Sequence, residues 1–283
     1  MIMVTGSTGT IGKDVVKELR GMDARFRVVA RDPEKARKLL GDVQIVRGDL
    51  GDRGSLDAAF EGGTKLFLLG PGSPTQVADQ HNAIEAAKAA GITHVVRSSA
   101  FVSDTESTVP LGRWHGQTDE ELRRSGLKWT ILQPEAFMQN LLGSVGTIKQ
   151  QGAIYGTSKD GKIAMIDARD IARVAAHALV DLGHEGKTYV LTGPEAINYG
   201  RVAETFSQVL GRSIQYVDLP PEQARLAMLG TGLPEWLVDI LLGLSSIYAA
   251  GRGAQVTDAV EQVGGAKPRT IAQFVRDHVL AFA

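Results

Sequence analysis

The chain has 283 residues, of which 43% are hydrophobic and 22% charged, and its 31 basic side chains nearly balance its 32 acidic ones. This composition is that of an ordinary globular protein, and the balanced charge without a run of like charges argues against a nucleic-acid partner. The sequence contains no cysteine, which excludes disulfides, thiolate metal sites, iron–sulfur clusters and a cysteine nucleophile. Redox chemistry would therefore need a bound cofactor.

The first half of the chain alternates short β-rich runs with helical patterns. Alternation at this spacing predicts βαβ units and a doubly wound parallel sheet, an α/β fold of the Rossmann type that binds ligands at the carboxyl ends of its strands. The predicted strands are Ile2–Thr5, Arg27–Ala30, Val43–Arg47, Lys65–Leu69, His94–Ser98 and Lys128–Leu132, and the predicted helices include Ile11–Arg20, Pro33–Leu40, Gln76–Ala90 and Trp114–Arg124.

This rhythm changes after Pro134. A glycine-rich segment follows, and then come isolated predicted strands at Thr188–Leu191 and Ile214–Val217. We therefore predict a Rossmann domain over residues 1–134 and, mainly over 135–283, a smaller C-terminal α/β substrate lobe interleaved with the last sheet strands. Such lobes usually close over a substrate, so a cleft is expected. Asp170 is predicted to cap a helix over Ile171–Leu179.

No export or membrane signal is visible in the sequence. The chain opens Met1-Ile-Met-Val-Thr-Gly6 without a basic stretch, an apolar leader or a cleavage site, which predicts a cytoplasmic protein. Trp236–Ala250 is the most apolar later stretch, but it contains Asp239 and falls short of the roughly 20 residues that a membrane span needs. We predict a buried or lid-forming helix there, no membrane partner, and either a monomer or a homodimer.

A glycine-rich turn lies between the first predicted strand and the first predicted helix. Its glycines permit a tight turn, a close backbone approach to a pyrophosphate and packing of the helix on the strand. The helix N-terminus adds free N–H groups and a partial positive charge. Glycines also make plain turns, but this position favours phosphate binding. The residues assigned to the cofactor here are Gly6, Thr8, Gly9, Thr10, Ile11 and Gly12.

Arg31 directly follows the second predicted strand. The NAD-type fingerprint places an acidic residue in this region to hold the ribose 2′-hydroxyl, whereas a guanidinium suits a 2′-phosphate. Lys35 lies one turn into the next helix and would assist. The alternative is a pair of solvated surface cations, with Asp32 as the N-cap before Pro33. We predict NADP(H) as the cofactor.

Two later strand ends also face the predicted cofactor. Asp49, after the third strand, is placed to accept from an adenine amino group, or it is only a turn residue. The glycines that follow the fourth strand would let the chain pass close to the cofactor, although a plain loop would look the same. We assign Asp49, Leu50, Leu69 and Gly70 to the cofactor site.

Taken together, these motifs resemble the extended short-chain dehydrogenase/reductase superfamily. Within it, two segments around the predicted helix Trp114–Arg124 and the sixth predicted strand are similar to the atypical NmrA-like branch, which includes bacterial quinone reductases and triphenylmethane-dye reductases. The residues that carry the resemblance are the glycine loop, Arg31, Gly48-Asp49, Arg97-Ser98-Ser99, Ile166–Ala172, Leu111–Leu122 and Ser125–Asn140.

The resemblance implies a departure at the catalytic pair. The superfamily's usual pair is Tyr-x-x-x-Lys, but here Leu111 takes the tyrosine position and His115 the lysine position. The atypical branch implies that His115 contacts the ribose or donates a proton; a helix-surface histidine paired with Asp119 is the alternative. Ser98 and Ser99 either position the substrate or simply end a strand, and with His115 they form the predicted catalytic group.

A second group of site residues follows the sixth strand. The resemblance places Pro134 and Phe137 at the cofactor, and it places Phe137, Met138 and Asn140 against nicotinamide and substrate, although Phe137 and Met138 also suit an ordinary core. Trp236 is added to the predicted substrate contacts. The histidines lack metal-ligand spacing, so no metal site is predicted.

Tyr155-Gly-Thr-Ser-Lys159 matches the Tyr-x-x-x-Lys pattern literally. Catalysis needs both side chains on one helix face, whereas the surrounding Gly156, Ser158, Asp160 and Gly161 are typical of a hairpin turn. We therefore predict that this match is not catalytic.

The predicted function is hydride transfer from NADPH to a small, apolar, electron-poor acceptor such as a quinone, an aromatic dye or a conjugated electrophile. The alternative is a non-catalytic NADP(H)-binding sensor that regulates a partner protein, because both need the same nucleotide site. An epimerase or dehydratase on nucleotide sugars would want the missing Tyr–Lys pair and is disfavoured.

Overall fold

The computed structural model describes residues 1–283 and contains nine strands. Their order alternates with helices along the first 134 residues, as the sequence predicts. The strands are β1 (Ile2–Val4), β2 (Phe26–Ala30), β3 (Ile45–Arg47), β4 (Lys65–Leu68), β5 (His94–Ser98), β6 (Lys128–Pro134), β7 (Ala153–Gly156), β8 (Lys187–Leu191) and β9 (Gln215–Asp218).

Thirteen α-helices and one short 3-10 helix (Met138–Ser144) connect these strands. The α-helices are α1 (Gly12–Gly21), α2 (Pro33–Leu40), α3 (Arg53–Ala59), α4 (Gln76–Ala89), α5 (Pro110–Arg124), α6 (Val145–Gln151), α7 (Ala168–Val180), α8 (Tyr199–Leu210), α9 (Pro221–Gly230), α10 (Glu235–Ala249), α11 (Ala259–Gly264), α12 (Ile271–Asp277) and α13 (Val279–Phe282).

Seven strands form one sheet in the order β3-β2-β1-β4-β5-β6-β8, with every neighbouring pair parallel. The strand order reverses between β1 and β4, which is the switch point where ligands bind such sheets. Because all seven strands run the same way, their carboxyl ends lie along one edge. The predicted α/β fold with a doubly wound parallel sheet is confirmed.

Local chemistry explains where several helices begin. Asp32 accepts a hydrogen bond from the Lys35 backbone N–H at 3.0 Å, and Pro33 fills the first helical position of α2, so the predicted cap is confirmed. Asp170 is different. Because α7 begins at Ala168, Asp170 lies inside its first turn and pairs with Arg173 at 3.2 Å, so the predicted cap is wrong.

The chain divides into two compact units. The first comprises Met1–Pro134, Ala168–Leu191 and Gln262–Gly265 and contains the seven-stranded sheet; the second comprises Glu135–Asp167, Thr192–Glu261 and Ala266–Ala283. The second unit contains the two-stranded parallel sheet β7-β9, and its core includes an edge-to-face pair, Phe206 and Phe282, with ring centroids 4.8 Å apart. None of the helices combines the length and the apolar character that crossing a membrane requires.

The main difference from the predicted elements concerns β8. The sequence predicts that the last sheet strands are interleaved with the second lobe, but it gives Thr188–Leu191 only as an isolated strand; β8 pairs with β6 as the last strand of the large sheet. Pairing depends on residues far away in the chain, so local pattern does not reveal it.

Candidate functional site

The glycine turn joins the end of β1 to the start of α1. Gly6 has φ of +64°, and a Cβ there would lie 2.7 Å from the Leu69 side chain and from its carbonyl oxygen. A Cβ at Gly12 would overlap the Gly6 carbonyl. Side chains at these two positions are therefore excluded by backbone conformation and by close approach, as a phosphate-binding turn requires.

Several donors of this turn have no partner in the protein. The Gly9 N–H closes the turn on the Gly6 carbonyl at 3.0 Å, but no backbone acceptor receives the N–H groups of Thr10, Ile11 and Gly12. Helix α1 also starts without a side-chain cap. The Ser7 hydroxyl is buried and unpartnered in the same loop. Unsatisfied donors at a helix N-terminus fit an anionic group, so these residues suit the pyrophosphate of a dinucleotide.

Arg31 and Lys35 are exposed beside the end of β2. Neither side chain makes a hydrogen bond or an ion pair within the protein. By contrast, Arg37 on the same helix pairs with Glu34 at 2.7 Å. Because β2 pairs with β1, the two uncommitted cations and the glycine turn follow neighbouring strands at one edge of the sheet. Two exposed cations without partners at this edge are compatible with the predicted contact to a 2′-phosphate.

The residues after β3 and β4 form the next part of this edge. One carboxylate oxygen of Asp49 accepts from the Gly51 N–H at 3.1 Å, as in a turn. A Cβ at Gly70 would lie 3.0 Å from the Leu50 side chain, so these two segments adjoin. The Leu69 N–H donates to the Thr5 hydroxyl at 3.0 Å, which joins the ends of β1 and β4.

Gln76, the first residue of α4, is 1% exposed, and neither atom of its side-chain amide has a hydrogen-bond partner. A Cβ at Gly72 would lie 3.1 Å from the Leu111 side chain and 3.9 Å from the Gln76 amide oxygen. The unpaired amide and Leu111 therefore both border the loop after β4. Buried polar groups are rarely left unpaired in a folded protein, so this amide is a candidate ligand contact.

Several buried polar side chains lie around the predicted catalytic residues at the end of β5. The Ser99 hydroxyl donates to Asp119 at 2.7 Å, whereas the Ser98 hydroxyl has no such partner. His115, on α5, does not pair with Asp119. Its Nδ1 instead lies 3.1 Å from the Arg97 guanidinium, which forms an ion pair with Asp119. Burial, and then the charge of Arg97, hold the His115 pKa well below its usual 6.5.

The remaining predicted residues divide between the two units. Pro134 ends β6, and its carbonyl accepts from the Phe101 N–H at 3.0 Å in the first unit. Within the second unit, Phe137 is partly buried and bridges to Ile166, Met138 is 2% exposed and Asn140 is exposed. Met138 thus has the burial of a core residue.

Trp236 is also in the second unit, partly buried in the first turn of α10. Most side chains of α10 are apolar and only partly buried. The predicted apolar helix is therefore present and partly exposed.

Tyr155 and Lys159 do not share a helix. Tyr155 lies in β7, is 41% exposed and donates to Gln151 at 2.7 Å, while Lys159 lies in the following turn with φ of +50°. The prediction that this segment is not helical is confirmed. The predicted hairpin is wrong, because β7 pairs in parallel with β9.

Four polar groups of interest were not predicted: the Ser7 hydroxyl, the Gln76 amide, the Arg97–Asp119 ion pair and Glu135. Arg97 carried a detectable signal, since it is a charged residue in the predicted strand His94–Ser98 and must be paired if that strand is buried. Its partners and the unpaired state of Gln76 depend on contacts between distant segments, which local sequence does not encode.

Comparison with known proteins shows which family this chain resembles along most of its length. A family model described as the NmrA-like family matches residues 1–270. Two similar curated proteins extend over the whole chain. An NAD(P)H azoreductase of Xenophilus azovorans is 41% identical over 283 residues, which is 100% of this chain and 99% of that protein. A (4-alkanoyl-5-oxo-2,5-dihydrofuran-3-yl)methyl phosphate reductase of Streptomyces griseus is 33% identical over 284 residues, with shares of 100% and 99%.

Among solved structures, the chain is similar to an NADPH-dependent quinone oxidoreductase of Escherichia coli in complex with NADPH. The TM-score is 0.91 at 29% identity, and the match covers 99% of this chain and 100% of the other. The resemblance to this branch that the sequence motifs indicate is therefore confirmed.

Proposed function

The chain belongs to the NmrA-like family, and we propose that it is an NADPH-dependent oxidoreductase that transfers hydride to a small, apolar, electron-poor acceptor. The proposal rests mainly on the carboxyl edge of the sheet. The glycine turn there has polar groups without partners in the protein, and the same edge has Leu111 and His115 in place of the Tyr–Lys pair. The relatives are named for the reduction of an azo compound, an oxo-dihydrofuran and a quinone. All three substrates have conjugated acceptors.

The first unit supplies the residues that would hold the cofactor. The glycine turn and the Ser7 hydroxyl bind the pyrophosphate, and Arg31 with Lys35 binds the 2′-phosphate. Asp49 would accept from the adenine amino group, and Leu50, Leu69, Gly70 and Pro134 would line the rest of the cofactor. When bound, NADPH supplies the hydride.

The side chains present determine which acceptors suit this edge. An ordinary ketone needs a proton on its oxygen as hydride arrives, and a positioned acid contributes about 10²–10⁴-fold in rate to such a step. Leu111 has no proton to give. A quinone, an azo bond or a conjugated lactone accepts hydride into a delocalised system, so binding and orientation by the chain can supply much of the catalysis.

We assign acceptor positioning to two groups of residues. In the first unit, Ser98 and Gln76 offer a hydroxyl and an amide without partners in the protein. In the second unit, Phe137, Asn140 and Trp236 supply aromatic and amide surface, and Met138 is a buried residue of the same segment as Phe137. We further infer that the chain acts in the cytoplasm as a monomer or homodimer.

The test is NADPH consumption by the purified chain with quinones, azo dyes, triarylmethane dyes, conjugated lactones and simple ketones. We expect turnover of the conjugated acceptors and poor turnover of ketones. Ketone rates that match the quinone rates would contradict the proposal. Tight NADP(H) binding without turnover of any acceptor would instead identify a sensor of the nucleotide pool.

A further inference from the structure

Arg97 is a fully buried arginine near the carboxyl end of β5. Its Nε donates to the Gln80 amide oxygen at 2.7 Å, one terminal nitrogen donates to the Asp119 carboxylate, and the other lies 3.1 Å from Nδ1 of His115. A buried charge is tolerated only when its partners are well placed. The three contacts, one on α4 and two on α5, therefore fix the plane of the guanidinium.

Asp119 is itself held from several directions. Its carboxylate is 1% exposed and accepts from Ser99 at 2.7 Å, from Ser103 at 2.5 Å and from the Gln133 amide at 3.4 Å, in addition to Arg97. These donors satisfy the anion, so its ion pair with Arg97 does not depend on solvent. The carboxylate therefore fixes Arg97, and Arg97 faces the imidazole of His115.

The contact between Arg97 and His115 determines which ring nitrogen of His115 carries the proton. A guanidinium has only N–H donors and keeps its charge in proteins, so Nδ1 of His115 must be the acceptor and carries no proton. In a neutral imidazole the proton is then on Nε2. A proton on Nδ1 would place two N–H groups against each other, and a doubly protonated ring would also place two positive charges against each other. Arg97 is the charged group that faces the ring, and Asp119 lies behind it.

Nε2 of His115 is open to a ligand. It makes no hydrogen bond within the protein, and it is not among the buried atoms that lack a partner. His115 is partly exposed on α5, near the carboxyl end of β5. The ring thus has one nitrogen committed to the protein and one nitrogen available.

We propose that Arg97, fixed by Asp119, is a positioning residue that holds His115 as the neutral Nε2–H tautomer, so that His115 presents one fixed hydrogen-bond donor and does not act as the acid. The recipient is a lone-pair oxygen or nitrogen of the bound ligand, either a nicotinamide ribose hydroxyl or the reducible group of the acceptor. The identity of this ligand rests on the proposed function; the tautomer does not. The proton that completes reduction then comes from water.

The tautomer can be measured directly in the full chain. Long-range proton–nitrogen NMR on protein with ¹⁵N-labelled histidine reports which ring nitrogen carries the proton, and a His115→Asn variant identifies the signals. We expect His115 to remain neutral, with its proton on Nε2, as the pH falls through the range in which an ordinary histidine becomes protonated. A proton on Nδ1, or titration near the ordinary value of about 6.5, would overturn the proposal.

The role of Arg97 is tested with Arg97→Met/Asp119→Leu, which removes both charges and avoids an unpaired buried ion. We expect the pKa of His115 to rise toward its ordinary value and both tautomers to appear. If the double variant does not fold, Arg97→Lys is used instead, because it keeps a positive charge beside Asp119. The single side-chain nitrogen of lysine cannot make all three contacts of the guanidinium, so we expect both tautomers of His115 to be present. An unchanged tautomer in a folded variant would contradict the role of Arg97.

His94 is a matched control because it is buried on the same strand and bonds to Thr130 through Nε2 at 2.9 Å, away from Arg97. Its signals should not move in the Arg97 variants. Kinetics then separate the two recipients in an active preparation: His115→Asn raises KM for NADPH if the ribose is the recipient, or lowers kcat if it is the acceptor. A chain that reduces nothing but shows the Nε2–H tautomer would refute the proposed function and leave this inference intact.

Discussion

At the scale of single residues, we propose that the preference for NADPH over NADH depends on Arg31. Replacing Arg31 with Ser removes a cation that has no partner in the protein. NADPH binding should weaken by about 1.5–3 kcal/mol, the range of a charge-assisted hydrogen bond, and NADH binding should stay nearly unchanged. Calorimetric titration measures both.

Arg37→Ser is the matched control for Arg31, because Arg37 is an exposed arginine on the same region of the chain but already pairs with Glu34. It should leave both affinities unchanged. Equal losses of NADPH and NADH affinity in Arg31→Ser would contradict the assignment of Arg31 to the 2′-phosphate.

Gln76 couples stability to binding. A buried amide with neither atom paired costs free energy in the ligand-free protein, so Gln76→Leu should raise the free energy of unfolding by about 1–3 kcal/mol. The same change should raise KM for NADPH or for the acceptor by roughly two- to tenfold, since one hydrogen bond is lost. Urea unfolding and initial rates measure the two effects. Gln117→Leu, on exposed surface, should show neither; a destabilised Gln76→Leu with normal KM would mean that the amide serves only the fold.

At the scale of elements, β7 and the turn after it carry the literal Tyr-x-x-x-Lys match. Tyr155 is exposed and bonds to Gln151, and Lys159 lies in a turn, so the two side chains cannot act as the catalytic pair on one helix face. Tyr155→Phe should therefore retain most of the activity. Steady-state rates on the best acceptor decide this, with His115→Asn as the comparison in which KM for NADPH rises or kcat falls. Abolished turnover in a folded Tyr155→Phe protein would show this view of the segment to be mistaken.

Elements whose signals are local were predictable from sequence. The cap at Asp32 with Pro33 and the glycine turn at Gly6 are set by residues within a few positions of each other, and both are found as expected. The pairing of β8 with β6 and the true start of α7 were missed, because they depend on packing against distant segments.

The candidate site follows the same division. Strand ends identified Arg31, Asp49 and Ser98, because parallel strands bring their carboxyl ends to one edge whatever the side chains are. The tautomer of His115 could not be predicted from sequence, since it depends on contact with Arg97, which lies 18 positions away in the chain. A charged residue inside a predicted strand of the parallel sheet was the available sign that such a partner existed.

At the scale of the whole molecule, Glu135 makes stability depend on pH. Its carboxyl is 4% exposed and accepts from the Ala136 N–H at 2.9 Å and from Tyr248, and burial raises its pKa from 4.5 to about 8. Between these values the folded protein holds a proton that the unfolded chain has released. The free energy of unfolding should therefore fall as pH rises through this window, by up to about 1.4 kcal/mol per pH unit.

Glu135→Gln cannot release a proton and should lose this contribution. Urea unfolding at about pH 5 and about pH 8 should show the variant gaining stability relative to the wild type at the higher pH. Glu222→Gln, exposed on α9, is the matched control and should follow the wild type. Parallel pH profiles for wild type and Glu135→Gln would show that this carboxyl is ionised in the folded protein.

The central claim is that this chain moves hydride from NADPH to a conjugated acceptor. The most direct measurement compares the rate of quinone reduction by the purified chain with ordinary NADPH and with NADPH that carries deuterium at the transferred position. We predict oxidation of NADPH that requires the acceptor, consumes one NADPH per quinone and is slower with the deuterated nucleotide. Bound NADPH that is not oxidised on addition of quinone, or oxidation at the same rate without any acceptor, would contradict the claim.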